Sequence, residues 1–364
     1  MLVLDATTAD DAGQLLHPES IDLPALPAAD VGLARRWASI PGVTSVTHVR
    51  ARNNVAYVAS SPNPLRIDLD ALVYQKLSRP SDAEQVTQDV VAPAGGKRVV
   101  VVFAATSGAT TIRVSKDDGA TWQDATSPGP PSSVESAVPS TLASLPDNGS
   151  RWGRTFMTYG GSTLDVSDDG GSSWSRAILG GAAVAQGVAI DTSATTLWCI
   201  EEGAIDRVAT YSVALSALAV PTPEWEATVL TGWDANGVYS AEADPNDPRA
   251  LYIGGEGRLG YMRVGDSGAD VELKWSVRPD SKPYTYIHAI MPSPDVSQAV
   301  VFGGGEQGGG PARVLEIAQA EAAAVDIPLE GSPIGAVRGI LRSGSRLFFF
   351  VETGSSLEMY AIAR

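Results

Sequence analysis

Several short segments of this sequence, most of them containing Gly, carry aromatic residues or carboxylates, and such side chains can bind a sugar or a protein surface. Aromatic rings stack on the apolar face of a pyranose, and carboxylates accept hydrogen bonds from its hydroxyl groups. The segments include "EEGAID", "TGWDANG", "GGEGRLG", "RPDSKPYTYIH" and "GGGEQGGGP". The candidate ligand-binding residues that they contain are Trp233, Asp234, Tyr284, Tyr286, Glu202, Glu256 and Glu306.

Two other interpretations of these residues stay open. The acids can form a solvated rim, with the two tyrosines packing their own loop. Alternatively, two carboxylates on either side of a scissile bond can hydrolyse a glycoside. Glu201, Glu202, Glu256 and Glu306 could supply such a pair. A rim this rich in acids also supplies a pair by chance, so no catalytic residue is assigned.

Metal and cofactor sites are not expected. One cysteine and three scattered histidines are too few for a typical zinc site. The "DDG" strings lack the bidentate Glu that a calcium loop needs, and "GGGEQGGGP" lacks the Lys-Ser/Thr of a phosphate loop. Cys199 lies in the apolar run "TLWCIE" and is predicted to be a buried small side chain.

The charge of the chain restricts its partners. The formal net charge is −16, and no cluster of Lys and Arg is present, which argues against nucleic acid. No run of about 18 apolar residues exists, so no membrane span is expected. The first residues lack a basic segment before an apolar core, so no secretory signal is expected. A location in the cytoplasm or in a virion would fit this pattern.

One octapeptide pattern, Ser-x-Asp-x-Gly-x-x-Trp, occurs twice, as "SKDDGATW" and "SDDGGSSW". An Asp can accept hydrogen bonds from nearby backbone N–H groups, a Gly can adopt positive φ, and a Trp can bury a large flat face beside a turn. The pattern therefore predicts a structural turn. Its residues are Ser115, Asp117, Gly119, Trp122, Ser167, Asp169, Gly171 and Trp174.

A longer repeat contains these octapeptides. An apolar strand recurs seven times at a spacing of about 42 to 54 residues, which is typical of four-stranded propeller blades. Each unit is predicted to run strand A, turn, strand B, loop, strand C, turn, strand D. Strand D is expected to open with a Trp, namely Trp122, Trp174, Trp225 or Trp275.

The last unit lacks a strand D, and the sequence "LARRWASIPG" with Trp37 supplies one at the other end of the chain. The predicted fold is therefore all-β, a single seven-bladed β-propeller closed by an N-terminal strand, with six or eight blades as the alternative. Residues 1–30 are predicted to form an extended arm, and residues 31–364 form the propeller.

The octapeptides resemble Asp-boxes, also called BNR repeats, which occur in sialidases, xyloglucan-cleaving glycosidases, Vps10-type receptors and a photosystem assembly factor. The resemblance implies a β-propeller whose octapeptide turns lie opposite the usual binding face. A sialidase would also have an arginine triad, a nucleophilic Tyr with a Glu partner, and an Arg-Ile-Pro motif. The nearest string is "PLRIDL", in which Asp68 replaces the Pro, and this departure puts Arg66 in doubt as a triad member.

Taken together, these features predict a non-catalytic recognition or assembly module that binds protein subunits, a glycan, or both. A tail or head decoration protein of a bacteriophage virion would fit. The Asp-, Pro- and Ala-rich arm would either hang free or dock on a neighbouring subunit. The alternative function is a glycoside hydrolase, sialidase-like or glucanase-like.

Overall fold

A computed structural model of the chain places 29 β-strands and no helix within the residues that it describes. The statements below concern those residues only. They are 19–79, 85–92, 96–105, 110–126, 141–144, 155–158, 163–178, 186–192, 196–202, 208–214, 226–229, 233, 238–265, 268–276, 285–293, 300–306, 309–318 and 323–364.

The strands pair in consecutive antiparallel sets of four, strands A to D, as the repeat predicts. The first three sets are β3 (Ser45–Arg52), β4 (Val55–Ser61), β5 (Leu65–Asp68) and β6 (Val73–Lys76); β7 (Gln85–Val91), β8 (Val99–Ala105), β9 (Thr110–Ser115) and β10 (Gln123–Asp124); and β11 (Thr141–Ser144), β12 (Thr155–Thr158), β13 (Thr163–Ser167) and β14 (Ser175–Ile178). The next three are β15 (Gln186–Thr192), β16 (Thr196–Glu202), β17 (Val208–Ala214) and β18 (Glu226–Val229); β19 (Val238–Ala243), β20 (Ala250–Gly255), β21 (Arg258–Gly265) and β22 (Gly268–Ser276); and β23 (Thr285–Met291), β24 (Val300–Glu306), β25 (Ala312–Ile317) and β26 (Val325–Asp326).

The last set is completed from the N-terminus, as predicted. It consists of β27 (Ala336–Ser343), β28 (Arg346–Glu352), β29 (Ser356–Ala363) and β2 (Arg35–Pro41). Strand β2 pairs antiparallel with β29 along its length, with a bulge at Trp37. The Trp37 ring is buried and meets Phe348 edge-on at 5.6 Å. The N-terminal strand therefore removes the open edge that β29 would present.

The residues just before β2 lie against the propeller itself. Strand β1 (Ser20–Asp22) adds a fifth strand to the outer edge of β6. The indole N–H of Trp37 donates to the Pro24 carbonyl at 2.8 Å, and Arg346 donates to the Pro27 carbonyl at 3.0 Å. The described part of the predicted arm thus docks on its own first and last sheets, and residues 1–18 lie outside the described residues.

The strands A form the inner wall of a ring. Each contacts the strand A of the next set, from β3 through β7, β11, β15, β19, β23 and β27, and β27 contacts β3. Apolar clusters fill the spaces between neighbouring sheets, for example Tyr57 and Leu77 of the first sheet against Val101 and Phe103 of the second. The described architecture is a β-propeller with interblade cores.

The two octapeptide turns join strand C to strand D with the same bonds. In the first, Gly119 N–H donates to Ser115 Oγ at 2.7 Å, and Asp117 accepts from Thr121 N–H at 2.8 Å. The Trp122 indole N–H donates to the Gly119 carbonyl at 3.0 Å. The second turn repeats every one of these bonds through Ser167, Asp169, Gly171, Ser173 and Trp174. Both turns are therefore held by the same set of local hydrogen bonds.

Each octapeptide Trp packs against the preceding sheet. Trp122 lies in the core between the first and second sheets, and Trp174 lies between the second and third. The expectation for Trp275 is wrong, because β22 begins at Gly268 and Trp275 is its next-to-last residue. In this unit strands C and D form a long hairpin that pairs as far as Gly265 and Gly268, so the Trp lies at its far end. Trp225 lies outside the described residues.

Candidate functional site

The central channel has two unlike ends. The strands A run from one end to the other, and the octapeptide turns lie at the end where strands A finish. The opposite end is formed by the first residues of strands A and the last residues of strands B, and we call it the mouth. Concave sites favour the end of a propeller channel, so this is the end where a site is expected.

A β-bulge recurs near the mouth in six strands A. It lies at the third residue of β3, β15 and β27, at the second of β19, and at the fourth of β7 and β23. A bulge leaves one residue out of the ladder and redirects its side chain. The bulged residues are Thr47, Gln88, Val188, Tyr239, His288 and Arg338. Three of them, Tyr239, His288 and Arg338, line a cavity in the channel.

Three rings meet on the wall of this channel. The Tyr239 ring is roughly perpendicular to Tyr286 at 5.1 Å and to His288 at 5.4 Å between centroids. Tyr239 is 36% exposed, and its hydroxyl donates to Glu256 Oε1 at 3.0 Å. Residue Glu256 also forms a β-bridge with Tyr286, which joins the fifth and sixth sheets. The predicted residues Tyr286 and Glu256 are therefore brought together, with Tyr239 between them.

Charged side chains line the rest of the cavity, namely Arg50, Glu242 and Arg338, and each belongs to an ion pair. Arg50 Nη2 lies 3.3 Å from the fully buried Asp89, and Arg50 Nη1 lies 3.7 Å from Glu242. Arg338 Nε lies 2.7 Å from Glu352. Asp89 also accepts from the Leu142 backbone at 2.8 Å, so its charge is well compensated. The charged groups at the centre are thus held on rigid inner strands.

His48 and His288 remain neutral at physiological pH. Desolvation deep in the channel lowers the pKa of His48 to about 4, and Arg50 and Arg338 lower it further while Asp89 opposes them. Desolvation likewise lowers the pKa of His288 to about 3, with repulsion from Arg338 and His48 in the same direction. Both side chains are half-buried on the cavity wall. Neither histidine therefore adds positive charge to the cavity at neutral pH.

Carboxylates recur at one register position on strands B. The residue of strand A just before the bulge pairs with a residue of strand B. Glu256 and Glu352 each come directly after that strand B residue. Glu202 occupies the same position in the fourth sheet, where Gly187 pairs with Glu201 before the bulge. The repeat thus directs acidic residues to the mouth from three blades. Glu306 lies at the end of β24, one position farther along, where it pairs with Thr285.

Trp233 is not an exposed aromatic residue of the mouth. It is 5% exposed and packs with Trp198 and Ile200 of the fourth sheet against Leu251 and Ile253 of the fifth. A large apolar ring is more stable in this interblade core than in water, which overturns the expectation that Trp233 contacts a ligand. Asp234 and Tyr284 lie outside the described residues.

Arg66 does not face the mouth either. It lies on β5, where its guanidinium pairs with Asp118 at 2.9 Å and with Asp68 at 3.4 Å. Because Asp118 belongs to the first octapeptide turn, Arg66 reaches toward the end opposite the mouth. Within the described residues no three His, Cys, Asp or Glu side chains come together as a metal site. Nor does that part of the chain contain a helix able to cross a membrane.

Sequence reasoning missed Tyr239, His288, Asp89 and Glu242. Tyr239 lies in "GVYSAEA", which looks like an ordinary strand, and nothing in that string announces a bulge. The register of strand A against strand B decides where the side chain points. A signal does exist in retrospect, since the glutamates at the ends of "LWCIEE" and "RLFFFVE" and after "ALYIGG" mark one repeated position.

Comparison with known proteins supports the fold. No family model and no curated protein sequence matches the chain. A chain of the mitotic checkpoint complex is similar in structure, with a TM-score of 0.59 and 13% identity over 100% of this chain and 97% of that one. YCF48 from Cyanidioschyzon merolae is also similar, with a TM-score of 0.58 and 13% identity over 89% of this chain and 98% of that one. YCF48 bound to D1 peptide gives a TM-score of 0.55 at 12% identity, over 95% and 97% of the two chains.

Proposed function

We propose that this chain is a non-catalytic β-propeller that binds a protein partner at the mouth of its channel. The cluster of Tyr239, Tyr286 and Glu256 is the observation that carries the proposal. An exposed Tyr held by two ring contacts and a hydrogen bond loses little side-chain entropy on binding, and Tyr is enriched at binding hot spots. A similar propeller, YCF48, has been solved with a bound peptide, which supports a peptide-binding use of this scaffold.

The bonding of the mouth carboxylates favours recognition over hydrolysis. Glu256 accepts from the Tyr239 hydroxyl, and Glu352 is paired with Arg338. A glycosidase general acid must donate a proton to the leaving group, whereas the Glu352 carboxylate is occupied by its bond from Arg338. Arg66, the nearest counterpart of a sialidase arginine, is bound to Asp118 near the other end. We therefore place the glycoside hydrolase second.

Two finer assignments belong to this proposal. The first is membership of the Asp-box propellers, which the matching bond sets around Asp117 and Asp169 support. The second is a role as a subunit of a large assembly, such as a bacteriophage tail or head, that contacts protein subunits or a glycan. Its support is the rigid ring of sheets with a docked N-terminal segment and the net charge of −16.

Selection from a displayed library of random decapeptides tests the proposal. We expect the purified chain to enrich related peptides, and Tyr239→Ala to abolish their binding while melting stays cooperative. A glycan array and a panel of fluorogenic glycosides, run on the same protein, should give no turnover. Turnover that Glu256→Gln or Glu306→Gln abolishes would replace the proposal with the hydrolase. Peptide binding that is unchanged in Tyr239→Ala would move the site away from the mouth.

A further inference from the structure

The aromatic cluster at the mouth can bind a cation through Tyr239, which is 36% exposed. The three ring centroids lie 5.1, 5.4 and 6.2 Å apart, so the rings contact one another and leave no gap between them. A cation would therefore lie against the exposed part of the Tyr239 ring, beside Glu256. This arrangement differs from a cage that surrounds a quaternary ammonium, because the bound cation keeps one side toward a carboxylate.

The charge around this ring is negative. In the described part of the chain, the side chains that line the cavity or bond to its lining include two guanidinium groups, Arg50 and Arg338. They include four carboxylates, from Asp89, Glu242, Glu256 and Glu352. His48 and His288 stay neutral and do not offset these acids. An entering cation would be attracted, and an entering anion would be repelled.

Hydrogen-bonding capacity narrows the choice of cation. The carboxylate of Glu256 accepts one hydrogen bond, from the Tyr239 hydroxyl, and a carboxylate has about four acceptor sites. A guanidinium is planar, stacks on an aromatic face, and donates two parallel N–H bonds to one carboxylate. A primary ammonium can donate but cannot stack, and a quaternary ammonium cannot donate. An arginine side chain can therefore stack on the aromatic ring and hydrogen-bond to the carboxylate at the same time.

We infer that the mouth takes an arginine side chain of the partner, stacked on Tyr239 and hydrogen-bonded to Glu256. This inference rests on the proposed function and adds the chemistry of the residue that is recognised. Glu242 lines the same cavity and adds attraction without direct contact. The partner segment is therefore a peptide or loop that carries an exposed arginine.

The test starts from the peptides that the decapeptide library yields. We expect arginine to be enriched at one position. Replacing that arginine by citrulline, a neutral side chain of nearly the same shape, should weaken binding by about tenfold or more, and lysine should weaken it less. Glu256→Gln should cause a similar loss. Glu272→Gln, which removes an exposed charge from the outer strand β22 of the same blade, is the matched control and should leave affinity unchanged.

Each outcome separates the two proposals. Enriched peptides that lack arginine but still require Tyr239 would overturn the arginine inference and leave peptide recognition at the mouth intact. Equal binding of the arginine and citrulline peptides would likewise overturn the arginine inference and leave peptide recognition at the mouth intact. Failure of the wild-type chain to retain any peptide would overturn both. Tyr239→Phe keeps the ring and removes the bond to Glu256, so it provides a second variant should Tyr239→Ala fail to fold.

Discussion

At the scale of single residues, the octapeptide turns depend on a carboxylate that is saturated with hydrogen bonds. Burial raises the pKa of Asp117, but bonds from the Thr121 hydroxyl and N–H and from Ser115 outweigh it and hold that pKa below its usual value. Asp169 is lowered in the same way by Ser173 and Ser167. A hydroxyl residue at the seventh position, Thr121 or Ser173, is part of the motif although the pattern leaves it variable.

Asp118, the neighbour of Asp117, bonds to side chains of another blade. It adopts a positive φ of 65° and accepts hydrogen bonds from Arg52, Tyr57 and Arg66 of the first sheet. Arg52 is 6% exposed and also donates to the Arg98 carbonyl. Asp118 thus ties the second blade to the first. Its importance is invisible in the octapeptide pattern, because its partners come from residues more than fifty positions away.

We predict that Asp118→Ala is more destabilising than Asp117→Ala. The first change leaves a buried guanidinium without its carboxylate, which costs about 3 to 5 kcal/mol of unfolding free energy. The second leaves local donors without an acceptor, and we expect a loss of about 1 to 3 kcal/mol, as for Asp169→Ala. Urea denaturation measures both. Asp326→Ala, at an exposed ion pair, is the control. Equal losses at positions 117 and 118 would contradict the interblade role of Asp118.

The channel histidines should make the fold sensitive to mild acid. Their folded pKa values, about 4 for His48 and about 3 for His288, lie below the ordinary value of 6.5. As pH falls below 6.5 the unfolded chain binds protons that the folded chain does not, so stability decreases. The slope is at most about 1.4 kcal/mol per pH unit for each histidine. Above pH 6.5 they should have no effect.

The measurement is the free energy of unfolding between pH 7.5 and 5, before most carboxylates titrate. His288→Gln should flatten the decline below pH 6.5, because glutamine takes up no proton in either state. His48→Gln should flatten the decline as well, because His48 lines the same cavity and its pKa is also lowered by desolvation. A decline of the same slope in His288→Gln and wild type would contradict the neutral state of His288 in the folded chain.

At the scale of strands, the apolar periodicity was sufficient to locate every strand B, from β4 to β28. Strands β4, β20 and β28 are buried on both faces, so they appear in the sequence as continuous apolar runs. The bulges of strands A could not be predicted, since they depend on pairing with a partner strand. "VVFGGG" illustrates a packing requirement of the same kind, because a Cβ at Gly304 would lie 1.5 Å from the Tyr286 carbonyl oxygen.

The N-terminal closing strand provides the prediction at this scale. Deleting residues 1–41 removes β2 and exposes the hydrogen-bonding edge of β29 together with the buried Phe348. We expect a chain that aggregates or melts without cooperativity. Deleting residues 1–30 removes the Pro24 and Pro27 contacts but keeps β2, so this shorter deletion should lower the melting temperature and leave a folded monomer. Calorimetry and gel filtration compare the two, and identical behaviour would show that β2 is dispensable.

At the scale of the whole molecule, the sequence was a better guide to the fold than to the site. The propeller can be predicted because the same apolar repeat recurs from blade to blade. The mouth is assembled from Tyr239, Glu256, Tyr286, His288 and Arg338, which belong to three blades and meet only after the ring closes. No short sequence pattern predicts that these residues come together. Trp233 shows the converse, since an aromatic residue in a loop proved to belong to an interblade core.

The number of blades is the last prediction. Each described set contributes one inner strand, and β27 returns to contact β3, while the closing strand β2 belongs to the set that contains the C-terminus. Because the ring is closed, the number of blades equals the number of strands A. We therefore predict seven blades. An experimental structure at a resolution that separates strands 4.8 Å apart would settle it. Seven blades with Trp37 in the outer strand of the last would agree, whereas a six- or eight-bladed ring, or Trp37 outside the sheet, would contradict both the count and the closure.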